Sequence, residues 1–365
     1  MKNVLPKRLP FLLWGDLRKN KKALLRYALA GEEAHLPIYF YVYLREYFEY
    51  KKLAVTSLKA KSLKDLKTKL KRLFPNKLWL LENDQILRAY FIKTVGDYEN
   101  KLNVWELGST IFTISTKVDY LIGAFGKKAK IDYHGIEKNE YLSQLSKILH
   151  PSCKVYPDIK HINPLKKKNK NLFVSRFVSS YVFKNTDALA DQISLFDYAF
   201  LTEPFNFNGG DCVRYNHGLP NTFFDFCALL NRLHATHNLF SAGYYYDHPA
   251  GTAPCFVCDL VIVAKNAKHS QSIQTKLNQS FDTFERIGDP AAFMKRVRSE
   301  INKKEKTILK VSKLLNPVWG KVDLSNQPME IVLSLIKSIL PSYKKYNFKF
   351  NNYYLIKRAL ADQLR

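Results

Sequence analysis

Long apolar runs are missing from this 365-residue chain: nothing approaches the roughly 20 consecutive apolar positions that a membrane-spanning helix needs. Residues 1–15 hold only a short apolar stretch, interrupted by Pro6 and Pro10, so no secretory leader is expected. Cysteine is scarce. Five is an odd number and too few for a disulfide scaffold, which points to a reducing compartment, the cytoplasm. There is no Walker-type phosphate loop and no nucleophile elbow, so phosphoryl and acyl transfer lack a motif. No segment repeats itself, and the low-complexity stretch 166–171 reads as a surface loop. With 46% apolar and 25% charged residues, what remains is an ordinary globular composition, neither disordered nor fibrous.

Acidic side chains are the other shortage. Asp and Glu number 32 against 58 Lys and Arg, a net charge of +26. Most of the excess lies in residues 1–100 and 266–365. Residues 201–264 carry only Arg214 and Arg232 against Glu203, Asp211, Asp225, Asp247 and Asp259. A protein that grips a phosphate backbone across its reaction centre needs cations there. The charge therefore belongs to the ends, either as lysine-rich solvated helix faces or as a surface for nucleic acid or anionic lipid.

Those ends read as helices. Ser62 is placed as an N-cap with Asp65 three residues on, and Leu63, Leu66, Leu70 and Leu73 follow as an apolar stripe. A second helical pattern covers 84–95. The aromatic-rich run 39–50 fits a buried helix better than a stacking platform. After Lys265 the helical period returns, with Ile273, Leu277, Phe281 and Phe284 on one face and Val297, Ile301, Ile308, Val311 and Leu315 on another. Three regions result: a helical 1–100, a central 101–265, and a helical, basic 266–365.

The centre alternates short β-rich runs with helical patterns, as a parallel sheet with crossover helices does. Strands are predicted over 103–108, 131–137, 154–158, 172–177 and 198–203, with helices over 111–126, 141–149, 186–193 and 221–236. The last two strands, 239–246 and 256–265, leave no room for a helix between them. Five crossover units followed by an antiparallel pair is a specific order.

Over about 103–265 that order resembles the class I S-adenosylmethionine-dependent methyltransferases, among them enzymes acting on small molecules and sugars. The resemblance implies an α/β, Rossmann-like, seven-stranded and mostly parallel sheet, with helical N- and C-terminal additions, and S-adenosylmethionine as cofactor. It also implies roles for three acids at strand ends. Glu106 and Gly108, in ELGST, would position the methionine end; Glu137 would hold the ribose hydroxyls and Asp158 the adenine amine. A carboxylate accepts paired hydroxyl hydrogen bonds well, and backbone must approach a ligand where a side chain would collide. Ser109, Thr110 and Phe112 stand where the family usually carries further glycines. A nicotinamide dehydrogenase would share the first two acids, but its glycine fingerprint is absent and the closing antiparallel pair fits it poorly.

Ligands in open α/β sheets bind beyond the carboxyl ends of the strands. That rule selects Ser175, Arg176 and Phe177 after the fourth strand, and Glu203 with Asn206 after the fifth. It also selects Asp211, Arg214, Tyr215 and His217 in a long loop, and Asp247 with His248 in another. A hydroxyl acceptor benefits from a nearby general base, for which His217, His248 and Glu203 are the candidates, while Arg176 and Tyr215 would bind the acceptor. The plain alternative for either histidine is an ordinary loop residue bracing its own turn. Cys255 and Cys258, with His234 and His237 nearby, do not complete a convincing zinc pattern, and no metal is expected. The expected activity is methyl transfer to an oxygen or nitrogen of a small polar acceptor, a sugar among the candidates. The alternatives are an RNA methyltransferase using the basic ends, or a non-catalytic binding protein on the same fold.

Overall fold

Apolar runs between 101 and 264 form the strands they predict. The structure, a computed structural model, describes residues 58–300 apart from 74–82, 111, 127–129, 140–141, 144–145, 148–149, 163–169, 207–223, 248–254 and 281–282. The strands are β1 (Lys101–Leu107), β2 (Lys130–Ile136), β3 (Lys154–Tyr156), β4 (Lys170–Arg176), β5 (Tyr198–Asn206), β6 (Phe224–Asp225), β7 (His237–Asp247), β8 (Cys255–Ala264) and β9 (Glu285–Ile287). They join one sheet in the order β3-β2-β1-β4-β5-β8-β7-β9, with β6 paired to β5. β1 to β5 run parallel; β8 lies antiparallel to β5 and to β7. This is a Rossmann-like α/β fold.

Among the described residues the sheet has nine strands, two more than the sequence pattern indicates. β6 is a two-residue bridge that apolar periodicity cannot register. β9 corrects the reading of a continuous helix through Phe284: helix α7 (Ser270–Asn278) ends, and Glu285–Ile287 pairs with β7. Ile273, Leu277, Phe284 and Ile287 are all buried, so apolar spacing alone could not separate the helix from the strand after it. Pairing β9 against β7 also covers an edge that would otherwise present unpaired backbone groups.

Alternation along each strand divides the core. Leu102, Val104, Leu172, Val174, Phe200 and Val261 face helices α1 (Leu63–Leu73), α2 (Asn83–Glu99), α3 (Thr113–Ala124) and α7. Trp105, Leu107, Phe173, Leu201, Leu260 and Ile262 face helices α5 (Thr186–Ile193) and α6 (Phe226–His234) and the helical segment 290–300, while α4 is a single turn at Ser179–Val182. Helix α1 starts as its sequence requires: the Asp65 N–H donates to Ser62 Oγ at 3.1 Å and the Lys61 N–H to Asp65 Oδ2 at 2.9 Å. Among the described residues no helix is long and apolar enough to cross a membrane. The run 39–50 and the pattern beyond residue 300 lie outside the described residues.

Candidate functional site

Three residues of the turn after β1 have left-handed backbone. Gly108, Thr110 and Phe112 have φ of 61°, 49° and 56°. Two of these are side chains for which that region is costly, by about 1 kcal/mol or more each. At Gly108 a Cβ would stand 2.7 Å from Val178 Cγ2, so the close approach of the turn after β4 requires glycine there. The buried Phe112 ring meets His150 edge-on, 5.6 Å between centroids, and its tip reaches Gly135 of β2. The turn is laced to the end of β2. The Ser109 N–H donates to the Ile136 carbonyl at 3.2 Å and the Thr110 N–H to Glu137 Oε2 at 2.9 Å.

Three acids follow adjacent strands on one edge of the sheet. Glu106, on β1, is 1% exposed; Ser115 of α3 donates its hydroxyl to Oε2, and Oε1 has no partner among the described residues. Burial pushes the Glu106 carboxyl up to about 7, against the pull of Ser115 and Arg88. Glu137, just past β2, accepts the Thr110 N–H on one oxygen and the Asn139 N–H on the other, each at 2.9 Å. Asp158, past β3, caps the short turn Ile159–His161 by accepting the Lys160 N–H at 2.9 Å.

The ends of β4 and β5 are built differently. Arg176 Nε donates to Asp84 Oδ2 of α2 at 2.9 Å, and its guanidinium lies over the Phe177 ring at 5.0 Å. Glu203 is fully buried. Its Oε1 collects the Ser175 hydroxyl and the N–H groups of Val178 (3.3 Å) and Ser179 (3.2 Å), while Oε2 has no partner among the described residues. Burial raises its pKa. This carboxylate braces the turn after β4, whose Val178 packs on Gly108. Ser175 points into that brace. Asp211, Arg214, Tyr215, His217 and His248 lie outside the described residues, and so does the side chain of Asp247.

A buried polar group was not selected by the sequence reading. Arg88 of α2 is 0% exposed; its Nη2 donates to Thr202 Oγ1 at 2.9 Å and lies 3.6 Å from Asp84 Oδ2, and its guanidinium rests over Phe200 at 4.9 Å. Thr202 hydrogen-bonds in turn to Asp259 of β8, which is 4% exposed and keeps Oδ1 without a partner among the described residues. Burial, with the Asp84 charge, pushes Asp259 up to about 7; burial works the same way on Asp84, but Arg176 and Arg88 bring that carboxyl below its ordinary value. Arg176, Thr202 and Asp259 are register neighbours across β4, β5 and β8. One signal was present: a lone acid inside FVCDLVIVAK and a lone cation inside ILRAYFI, each a charge in an apolar run.

No protein-family model matches the sequence, and no curated protein sequence does. Similar solved structures include a Listeria monocytogenes protein described as a class I S-adenosylmethionine-dependent methyltransferase (10% identity, 71% of this chain and 88% of that one, TM-score 0.39). Another is the plantazolicin methyltransferase BpumL, in complex with a pentazolic desmethylPZN analogue and SAH (11%, 60% and 100%, 0.34). A third is an S-adenosylmethionine-dependent methyltransferase from Aquifex aeolicus (16%, 54% and 98%, 0.29). These likenesses are distant, and the fold is read from the strand order itself. Five parallel strands ordered 3-2-1-4-5 and closed by an antiparallel pair form the class I methyltransferase arrangement. The fold is Rossmann-like α/β.

Proposed function

We propose that the chain is a cytoplasmic enzyme that transfers a methyl group from S-adenosylmethionine to an oxygen or nitrogen of a small polar acceptor. The observation that carries this reading is the pair Glu106 and Glu137, at the ends of neighbouring strands on either side of the left-handed turn 108–112. The residues present suit the donor: Glu106 keeps a buried oxygen without a partner among the described residues, and Gly108, Thr110 and Phe112 hold left-handed backbone angles that glycine adopts freely. When bound, the donor supplies an electrophilic methyl on a sulfonium.

Glu106 and Gly108 would fix the methionine end, Glu137 the ribose hydroxyls and Asp158 the adenine amine. Arg176, held rigid by Asp84, would orient a hydroxyl-rich or anionic acceptor, with Tyr215 beside it. His217 or His248 would take the acceptor's proton. Glu203 serves better as a brace than as a base, because Oε1 already collects three donors. Orientation of the acceptor in line with the methyl supplies much of the rate.

The scarcity of cations in 201–264 favours a small acceptor over RNA. Calorimetry with S-adenosylmethionine tests the reading: saturable binding that is lost in Glu137→Ala supports it, and no binding by the parent protein leaves a non-catalytic fold. RNA binding that weakens steeply with salt would move the acceptor to nucleic acid.

A further inference from the structure

Glu106 sits in an unusual electrostatic position. Its carboxyl is 1% exposed, receives the neutral hydroxyl and backbone N–H of Ser115, and presents Oε1 to no described residue. An ionised carboxylate so placed is costly unless a cation comes to it. We propose that Glu106 is a protonated acid in the ligand-free protein, and that the positively charged end of the methyl donor displaces that proton on arriving at Oε1. The inference rests on the donor reading above and adds that donor binding is coupled to proton release. The balance is simple: the neutral acid and a cationic ligand become an ion pair, and one proton passes to solvent.

The neighbours explain why no cation among the described residues does this already. Arg88 of α2 favours the charged form of Glu106, but its attraction is divided among Asp84, Asp259 and Glu106, and its Nη2 is directed to Thr202 and Asp84. Glu137, beyond β2, opposes a charge on Glu106. Lys117 of α3 and Arg176 of β4 both act on Asp84. Burial, helped by a Glu106 charge, disfavours ionisation of Tyr133 of β2 and Cys153 before β3, and burial with Asp259 does the same for Cys258, so none of them brings a charge to the site. Ser115 donates to either form of the acid. Together these place the carboxyl near 7, poised to lose its proton to a modest change in nearby charge.

The test is calorimetry on the whole protein between pH 6 and 9, in Tris and in phosphate, whose different ionisation heats count the protons exchanged. S-adenosylmethionine is expected to release about half a proton at pH 7 and almost none at pH 9, with a Kd about tenfold weaker at pH 6 than at pH 8. Methylthioadenosine, which lacks both the sulfonium and the amino-acid ammonium, should release none. S-adenosylhomocysteine keeps only the ammonium, so release with it assigns the effect to that group and silence assigns it to the sulfonium. E106Q should bind with a Kd flat in pH and no proton release. Binding without release in the parent protein, release with methylthioadenosine, or release that survives E106Q and disappears in D259N would each overturn the proposal. Should E106Q not fold, the parent protein's pH profile and the methylthioadenosine comparison decide alone. Absence of any binding heat at every pH is a different result, and it removes the donor reading itself.

Discussion

Arg88 and Thr202 meet across 114 positions of sequence: Nη2 of the arginine donates to the threonine Oγ1 at 2.9 Å, and the threonine hydroxyl reaches Asp259. A helix before the sheet is thereby tied to β5 and β8 at the level where the parallel strands end. Arg88→Met would keep most of the volume but remove one of the cations that hold Asp84 and Asp259, leaving Arg176 and Lys117 for Asp84 and Arg176 for Asp259. Breaking a buried charged network in this way costs about 3–5 kcal/mol. A urea titration should show the midpoint fall accordingly, and an unchanged midpoint would mean the network contributes nothing.

The turn after β1 offers two substitutions with opposite outcomes. Thr110 is half-buried at φ 49°, so Thr110→Gly relieves backbone strain and removes little packing. It should stabilise the fold by up to about 1 kcal/mol. Phe112 has nearly the same backbone but a buried ring. Phe112→Gly loses that ring at a cost of about 3–5 kcal/mol, and strain relief does not offset it. Thermal unfolding of the two variants separates the effects by sign.

Glu106 also makes a prediction about stability. Its folded pKa of about 7 lies above the ordinary value of 4.5, so the folded state holds the proton more tightly than the unfolded chain. Stability therefore falls as pH rises from about 4.5 through 7, and the penalty is complete above that window. Glu106→Gln cannot ionise, and its amide oxygen still accepts from Ser115. The variant should match the parent protein near pH 4.5 and exceed it at pH 8 by about 2–3 kcal/mol. Denaturant midpoints at the two pH values read this directly; equal midpoints at pH 8 would contradict the raised pKa.

What was legible follows from how each feature is encoded. β1, β4, β5 and β8 each carry a short apolar stretch within a buried strand, as burial on both faces requires, so their places and order could be read. The positions of Glu106, Glu137 and Asp158 were legible because each lies at the carboxyl end of a predicted strand. Three-residue β9 was not, since its pairing depends on the edge that β7 presents and not on its own composition. Left-handed Thr110 and Phe112 oppose their residue preferences, so only tertiary contacts such as Glu137 to the Thr110 N–H could specify them. Arg88, Thr202 and Asp259 come from three distant elements, and no local spacing relates them. Glu203 was found by its position at a strand end, but its role as a brace depends on Val178 and Ser179, which the structure alone brings to it.

Glu203 can be separated from its candidate role as a base. Glu203→Ala would leave two backbone N–H groups and the Ser175 hydroxyl without their acceptor, a loss of about 2–4 kcal/mol. Because Val178 packs on Gly108, donor affinity should fall with it. Glu203→Gln keeps an accepting oxygen and should restore both stability and S-adenosylmethionine binding, measured by calorimetry. A base would not be rescued by the amide, so full activity loss in Glu203→Gln with intact donor binding would return Glu203 to the catalytic group.

Gly135 tests how closely the turn is fitted to β2. A methyl at this position would stand 2.3 Å from Ser109 Oγ, 2.8 Å from Ser109 Cβ and 2.7 Å from the Phe112 ring tip. Rotating Ser109 moves its hydroxyl but not its Cβ, so the backbone of the turn or of the strand must shift. Gly135→Ala should therefore cost about 1–3 kcal/mol, as overpacking does. Gly288→Ala is the control, since nothing lies within 4 Å of its Cβ and no positive φ is recorded there. Combining Gly135→Ala with Ser109→Gly removes two of the three close atoms, and the pair should be less harmful than the sum of its parts by about 1 kcal/mol or more. The same cycle read by S-adenosylmethionine affinity carries the argument to the site. If moving the turn pulls the Thr110 N–H from Glu137, Gly135→Ala weakens donor binding and the double variant recovers it. Additive stabilities and unchanged affinity would mean that the turn and the end of β2 are independent, and that the seating of Glu137 does not depend on the turn.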